Sequence, residues 1–282
     1  MGASRWGGIG ALAARAGLQP RKGSATGAAI NRFPGPAEAA SPGLTLVGVG
    51  PGDPDLLTVA AVRAIAAADT VAYPVAREGA EGMAATIARP WLHEHQQHLP
   101  LLLPMVEDPA TLRAAWGLAA DRLAAERAAG RRVVLLCEGD VSLFASASYV
   151  LLALQQRHPA LEVQLIPGIT SVAAAAAAGA WPLALQRQGL LLLPTPETAA
   201  ELDQLLAQAA SGGWVLALLK LGRRWPWVRP LLEQRGLLEQ ALFAMRVGWP
   251  DQQLLPASEV AARDAPYFSL LLIRQAWPGV LP

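Results

Sequence analysis

A chain of 282 residues is long enough for one large domain or two smaller ones, each with its own core. Hydrophobic residues make up 53% and charged residues 16%, a globular rather than disordered composition, and a net charge of +1 gives no electrostatic ground for nucleic acid or a membrane as partner. One cysteine, Cys137, excludes an internal disulfide framework and a cysteine-based zinc cage, and no apolar run approaches the roughly 18 residues of a spanning helix. These features are those expected of a soluble, cytoplasmic protein.

Residues 1–42 are rich in Gly, Ala, Ser and Arg, with Glu38 their only acid. No pattern there can bury a core, so this segment is expected to be a disordered extension; a transit peptide or an over-long start would share its composition. Order is expected from Leu44, where a β-rich run ends in the glycines of a tight turn. Thr58 can cap a helix carrying Val59, Val62, Ile65 and Ala66 on one face. Residues 70–73 read as a short strand closed by Pro74, 111–129 as a helix stopped by Gly130, and 132–137 as a buried strand. A helix Ser146–Arg157 ends at His158-Pro159, and a strand Val163–Ile166 ends at Pro167-Gly168. The second half repeats the mixture: strand 189–193, helix 198–210, strand Trp214–Leu219, helix 227–235, strand 241–247 and a final strand over 266–274. This alternation predicts an α/β fold with a largely parallel sheet. Two lobes, 43–159 and 160–282, are expected to meet near Pro159.

Three segments carry the chemistry. In Gly48-Val-Gly-Pro-Gly-Asp-Pro-Asp-Leu-Leu-Thr58, glycines at alternate positions permit a sharp turn and close approach of a ligand. The spacing is neither the dinucleotide fingerprint nor a phosphate P-loop. In Cys137-Glu-Gly-Asp-Val-Ser-Leu-Phe144, a Gly-Asp turn follows a buried strand, and the carboxyl ends of strands are where open α/β sheets bind ligands. In Ile166-Pro-Gly-Ile-Thr-Ser171, followed by six alanines, hydroxyls stand at a helix N-terminus. Each segment taken alone also suits a plain capped turn between strand and helix.

In order and wording, the three segments together resemble the tetrapyrrole methylase family, over roughly Leu44 to Gln275. Glu138-Gly-Asp-Val-Ser-Leu-Phe, Pro250-Asp-Gln252 and Ala265-Pro-Tyr-Phe-Ser-Leu-Leu271 resemble the branch that methylates precorrin-2 at C20, especially its cyanobacterial form. The resemblance implies a class III methyltransferase fold of two α/β/α lobes with a cleft between them, and usually a homodimer. It implies S-adenosyl-L-methionine as methyl donor, and precorrin-2 or the cobalt-containing factor II as acceptor. Carried over onto this sequence, cofactor-binding residues are expected at Pro51, Glu138, Gly139, Asp140, Leu143, Thr170, Ser171, Leu219 and Val247. The sequence departs from the family where Val141 replaces a proline and Ala145 a glycine.

The chemistry implied is alignment of an activated methyl with an electron-rich carbon. Asp53 is the expected group for substrate orientation or proton removal, and capping is its alternative role. A substrate with eight carboxylates calls for bases, and Arg187, Lys220, Arg223 and Arg224 are the candidates. Each also suits an ordinary exposed strand or helix end. No metal site is expected from His93, His95 and His98, because no cysteine or carboxylate cluster supports them. Methylation of uroporphyrinogen III and a non-catalytic sensor of S-adenosylmethionine remain as alternatives.

Overall fold

The computed structural model describes residues 43–279, and the expected disorder of 1–42 lies outside the described residues. The chain divides into two compact units. Among the described residues, the first contains 43–50 and Pro54–Ile169, and the second contains Pro51–Asp53 and 170–279.

The first unit is built on a five-stranded sheet in the order β3-β2-β4-β1-β5. Its strands are β1 (Leu44–Gly48), β2 (Thr70–Val75), β3 (Gln97–Leu102), β4 (Val133–Cys137) and β5 (Val163–Ile166). All pairings are parallel. Helices α1 (Val59–Ala67), α2 (Met83–Ala88), α3 (Pro109–Ala128) and α4 (Ser146–Arg157) provide the connections. The Val-Val-Leu-Leu-Cys run of β4 is buried at every position, as a central parallel strand covered on both faces requires. Leu46, Leu99, Leu123, Leu135, Val150 and Leu154 form the centre of this unit's core.

Several expectations need correction here. In α1 the buried residues are Ala61, Ala64 and Ile65, while Val59 is 65% exposed. Small alanines let this helix lie close to the sheet, so residue size misled the choice of face. Pro74 does not end β2: it pairs with Leu101 of β3, and β4 accompanies β2 only over Thr70 to Ala72. Pro74 therefore sits where the strand has one neighbour, and its missing N–H costs no ladder bond. β3 was not expected, because its Gln, His and Pro residues suit only a half-exposed edge. Helix α3 starts at Pro109, earlier than expected, with the Asp108 carboxylate accepting from Thr111 N at 2.8 Å.

The second sheet runs β6-β7-β10-β8-β9. It contains β6 (Gly189–Pro194), β7 (Trp214–Leu219), β8 (Ala241–Met245), β9 (Gln253–Pro256) and β10 (Ser269–Arg274), with helices α5 (Ser171–Ala178), α6 (Ala199–Gly212) and α7 (Trp225–Gln234). Only β6 and β7 pair in parallel; β10 is antiparallel to β7 and β8, and β9 to β8. The largely parallel expectation fails for this sheet, because no helix crosses over after β8 and the chain turns back on itself instead. The unit's core gathers Leu206, Leu216, Leu218, Trp225, Val228, Phe243 and Leu271.

The expected boundary at Pro159 also shifts. β5 lies beyond Pro159, yet it completes the first sheet by pairing Leu44 to Val163 through Val47 to Ile166. Those hydrogen bonds carry the first unit to Ile169.

At the carboxyl end of the first sheet three backbone segments touch. Val49 N donates to Cys137 O at 2.9 Å, and Gly50 and Gly139 exchange bonds of 3.2 and 2.8 Å. A Cβ on Gly168 would lie 2.0 Å from Gly139 O, and one on Gly48 would lie 2.5 Å from Gly168 N. Neither neighbour is a side chain that could move aside. The other end of the sheet is tied by Asp69, whose Oδ2 accepts from Arg132 N at 2.8 Å and Nε at 3.0 Å. The Arg132 guanidinium and amide lower the Asp69 carboxyl to about 2.

Three substitutions test these contacts and one open helix position. Gly168→Ala should cost at least ~2 kcal/mol, because backbone must shift to admit the methyl. Gly117→Ala, in the interior of α3 with no atom closer than 3.7 Å, should instead raise the melting temperature, by about 0.5–1 kcal/mol of stability. Thermal melts of both variants check the pair. Asp69→Asn should lower the melting temperature at pH 7. Its folded pKa is depressed, so its contribution exists above the ordinary 3.8 and disappears as pH falls toward about 2. Melts across that range should show the gap to the parent closing.

Candidate active site

The first unit supplies the turn after β4. Glu138 ends the buried strand, and Gly139 follows with φ +65, a left-handed conformation that glycine adopts without strain. Nothing lies within 4 Å of the position a Gly139 Cβ would take. One face of this backbone is therefore open at the carboxyl end of a parallel strand, where a ligand can lie flat against it.

Asp140 is committed to the fold of the turn. Its Oδ1 accepts from Ser142 N at 2.8 Å and Ser142 Oγ at 2.5 Å, and its Oδ2 accepts from Gly168 N at 3.0 Å. It thus ties the turn after β4 to the turn after β5. Asp140 is expected among the cofactor-binding residues; its observed partners are the protein's own backbone and Ser142. Leu143 N closes the turn on Asp140 O at 3.4 Å. Ser148 Oγ donates to Val141 O at 2.7 Å, and the Val141 side chain is buried where the family has proline. Ala145 is extended, at φ −95 and ψ 141, so no glycine is needed there. The left-handed residue is Phe144, at φ 52.

Glu138 stands apart from this network. Its carboxyl is half-buried and makes no hydrogen bond or ion pair with another described residue. Burial pushes it up to about 7. Beside it, burial followed by the Glu138 charge pushes the Cys137 thiol up to about 12, so this cysteine is inert at neutral pH.

The second unit gathers its candidates at one end of its sheet. β6, β7 and β8 point the same way, so Pro194, Leu219 and Met245 mark a common edge. Thr195 N and Oγ1 both donate to Leu219 O, at 2.7 and 2.8 Å. Lys220 and Arg246, the residues directly after β7 and β8, have φ values of 56 and 47. Left-handed backbone at two non-glycine residues on one edge is the kind of strain that clusters at ligand sites. Val247 follows, buried, and the segment Pro51–Asp53 packs on it. Trp249 Nε1 donates to Pro51 O at 3.0 Å, and a Cβ on Gly52 would meet Val247 O at 2.7 Å. Gly248, at φ +82, lies against Asp53 N. Pro51, Asp53 and Val247 are thus together, with Leu219 on the same edge. Trp249 was not singled out from the sequence: it lies 198 residues from its partner, and a lone tryptophan carries no sequence signal for such a contact.

Thr170 caps α5, accepting from Ala173 N at 3.2 Å, with Ser171 as the first helical residue. The basic candidates separate. Lys220, Arg223 and Arg224 follow β7 on the candidate edge; Arg223 is exposed, and Arg224 pairs with Glu197. Arg187 precedes β6, whose start pairs with the start of β7 at Trp214, so it lies at the opposite end of the sheet. A six-residue strand spans about 20 Å, which removes Arg187 from the group. The loop bearing Arg187 is held by buried Arg274, which donates to Pro182 O and Gln188 Oε1 and lies over the Trp181 and Trp277 rings at 5.0 and 4.4 Å.

His93 and His95 stack at 5.6 Å, while Gln96, the residue after them, is buried and donates to Ile65 O and Ala68 O at 2.6 and 3.0 Å. Among the described residues no group of three His, Cys, Asp or Glu side chains converges. None of the described helices is long and apolar enough to cross a membrane.

Known proteins share the sequence and the fold. The chain is 37% identical to the cobalamin biosynthesis protein CobIJ of Mycobacterium bovis over 235 residues, covering 80% of this chain but 45% of that longer relative. It is 35% identical to the cobalt-precorrin-2 C(20)-methyltransferase of Salmonella typhimurium, covering 83% of this chain and 97% of that protein. The crystal structure of the methyltransferase CobJ shares the fold with a TM-score of 0.58 at 27% identity, covering 84% of this chain and 95% of that one. The sequence profile of the Tetrapyrrole (Corrin/Porphyrin) Methylases matches residues 43–261, and the chain belongs to that family.

Proposed function

We propose that this protein transfers the methyl group of S-adenosyl-L-methionine to C20 of precorrin-2 in corrin biosynthesis, giving precorrin-3A and S-adenosylhomocysteine. The observation that carries the reading is the open, left-handed Gly139 backbone at the end of β4, beside a half-buried carboxyl with no partner among the described residues. It suits a ligand held largely by main-chain atoms. Family membership supplies methyl transfer, and the name of the Salmonella relative supplies the C20 position. That name also specifies a cobalt-loaded acceptor, so the same reaction on cobalt-factor II is the second reading.

When bound, the sulfonium supplies an already activated methyl group. The chain has to hold, orient and keep water from the reacting atoms. In this reading Pro51, Glu138, Gly139, Asp140, Leu143, Thr170, Ser171, Leu219 and Val247 form the cofactor set, with Asp140 acting by shaping the turn. Lys220 and Arg223 meet substrate carboxylates, and Asp53 orients the macrocycle or takes the proton lost from C20. The reaction calls for no protein-bound metal, and the assembly is a homodimer.

The test is an anaerobic incubation with methyl-labelled S-adenosylmethionine and either precorrin-2 or cobalt-factor II. Label at C20 of one acceptor is the expected result and selects the pathway. Cofactor binding without transfer to either would overturn the proposal. Asp140→Ala should weaken cofactor binding by roughly 1–3 kcal/mol, through loss of the tie to Gly168. Calorimetry on a folded variant checks this, and unchanged affinity would remove Asp140 from the site. Arg223→Ala should raise KM for the tetrapyrrole and leave cofactor affinity alone, while Arg187→Ala should alter neither. A rise in KM at Arg187 would reverse their assignment.

A further inference from the structure

The Glu138 carboxyl is the one acid of the β4 turn that the protein itself leaves unsatisfied. Its neighbour Asp140 accepts three hydrogen bonds within the fold. Glu138 is half-buried and has no donor among the described residues. Carboxyls removed from water are normally hydrogen-bonded or paired with a cation, because desolvation penalises the charged form. Glu138 immediately precedes Gly139, around whose Cβ position nothing lies within 4 Å.

The surrounding elements supply no cation. β1, β2 and α2, which pack around β4, contain no charged residue. Arg157 of α4 is paired with Asp121, and Arg122 of α3 donates to Pro100 O at 3.0 Å. Glu126 of α3 is bound by Arg131 and Thr70. Arg113 and Arg127, the remaining α3 cations, form no ion pair with Glu138, and burial raises its carboxyl. The Cys137 thiol is uncharged at neutral pH, and Asp140 is an acid.

We propose that Glu138 is the counter-charge for a cationic group of the bound cofactor. This rests on the reading of the site as one for S-adenosylmethionine, which carries an ammonium and a sulfonium. A carboxyl that is half protonated near neutral pH in the free protein becomes fully ionised when the cation arrives, so cofactor binding releases a proton. If the partner is the sulfonium, the interaction disappears on methyl transfer, because the product is a neutral thioether. Glu138 then favours substrate cofactor over product and helps the spent cofactor to leave. If the partner is the ammonium, both forms benefit equally.

The experiment is calorimetric titration of the full chain with S-adenosylmethionine and, separately, S-adenosylhomocysteine, from pH 6 to pH 8, on the parent and Glu138→Gln. With a free carboxyl at about 7, the ionised fraction rises about tenfold over that range. The parent should gain up to tenfold in affinity relative to Glu138→Gln between those limits. The ligand amine also titrates near pH 8, but equally for both proteins, so the ratio removes it. A gain seen with both ligands assigns the ammonium, and a gain with S-adenosylmethionine alone assigns the sulfonium. Equal affinities of parent and variant at every pH would overturn the proposal while leaving the cofactor reading intact. Failure of the parent to bind either ligand would overturn both. Should Glu138→Gln not fold, the parent alone decides whether protons are released, from binding enthalpies in buffers of different ionisation heat.

Discussion

The first unit depends on a place where three stretches of main chain come together with no side chains between them. The Gly139 carbonyl occupies the space that a Cβ of Gly48 or Gly168 would need. Only glycine at both positions allows the turns after β1, β4 and β5 to close on one another. Everything proposed for the site follows from that closure. The Gly50–Gly139 pair fixes the height of the β4 turn, and Asp140 locks it to Gly168. The second unit repeats the device with different parts: Gly52 and Gly248 admit the main chain of Pro51–Asp53 against residues 247–249, and Trp249 seals it with a hydrogen bond.

Such packing divides the labour between the two acids of the β4 turn. Asp140 has its hydrogen-bonding capacity spent on the fold, so the loop keeps its shape without help from a ligand. Glu138 has none spent, and its burial leaves it close to the point where a small change in surroundings moves its proton. A rigid turn carrying one unsatisfied carboxyl is suited to reading charge, since the turn need not reorganise when the partner arrives.

Much of this was legible in the sequence, for physical reasons that differ by element. β4 announces itself because a five-residue apolar run bounded by Arg132 and Glu138 has no other stable place than the middle of a parallel sheet. The caps Thr58 and Thr170 read correctly because a hydroxyl three residues before a free amide is a local signal and both make the bond, while Thr198, expected as the first residue of its helix, is its cap instead. What failed was non-local. The partner of Pro51 lies 198 residues away, the face of α1 was set by alanines rather than by valine, and the antiparallel order of β8, β9 and β10 is a matter of which strand inserts beside which. Arg187 and Lys220 each adjoin an apolar strand, but the sequence alone does not say which end of the sheet each occupies. The pairing of β6 with β7 does.

The buried cysteine has a practical consequence. Cys137 is the chain's single thiol, and burial at the end of β4 holds it in the protonated, unreactive form. The folded protein therefore behaves toward alkylating reagents as if it contained no cysteine. A cysteine introduced at any exposed position becomes a unique chemical handle, so a fluorophore or spin label can be attached at one chosen site without first removing the native residue. The same thiol becomes reactive when the first sheet opens, so alkylation of Cys137 reports on unfolding of that unit independently of the second, which has no cysteine of its own.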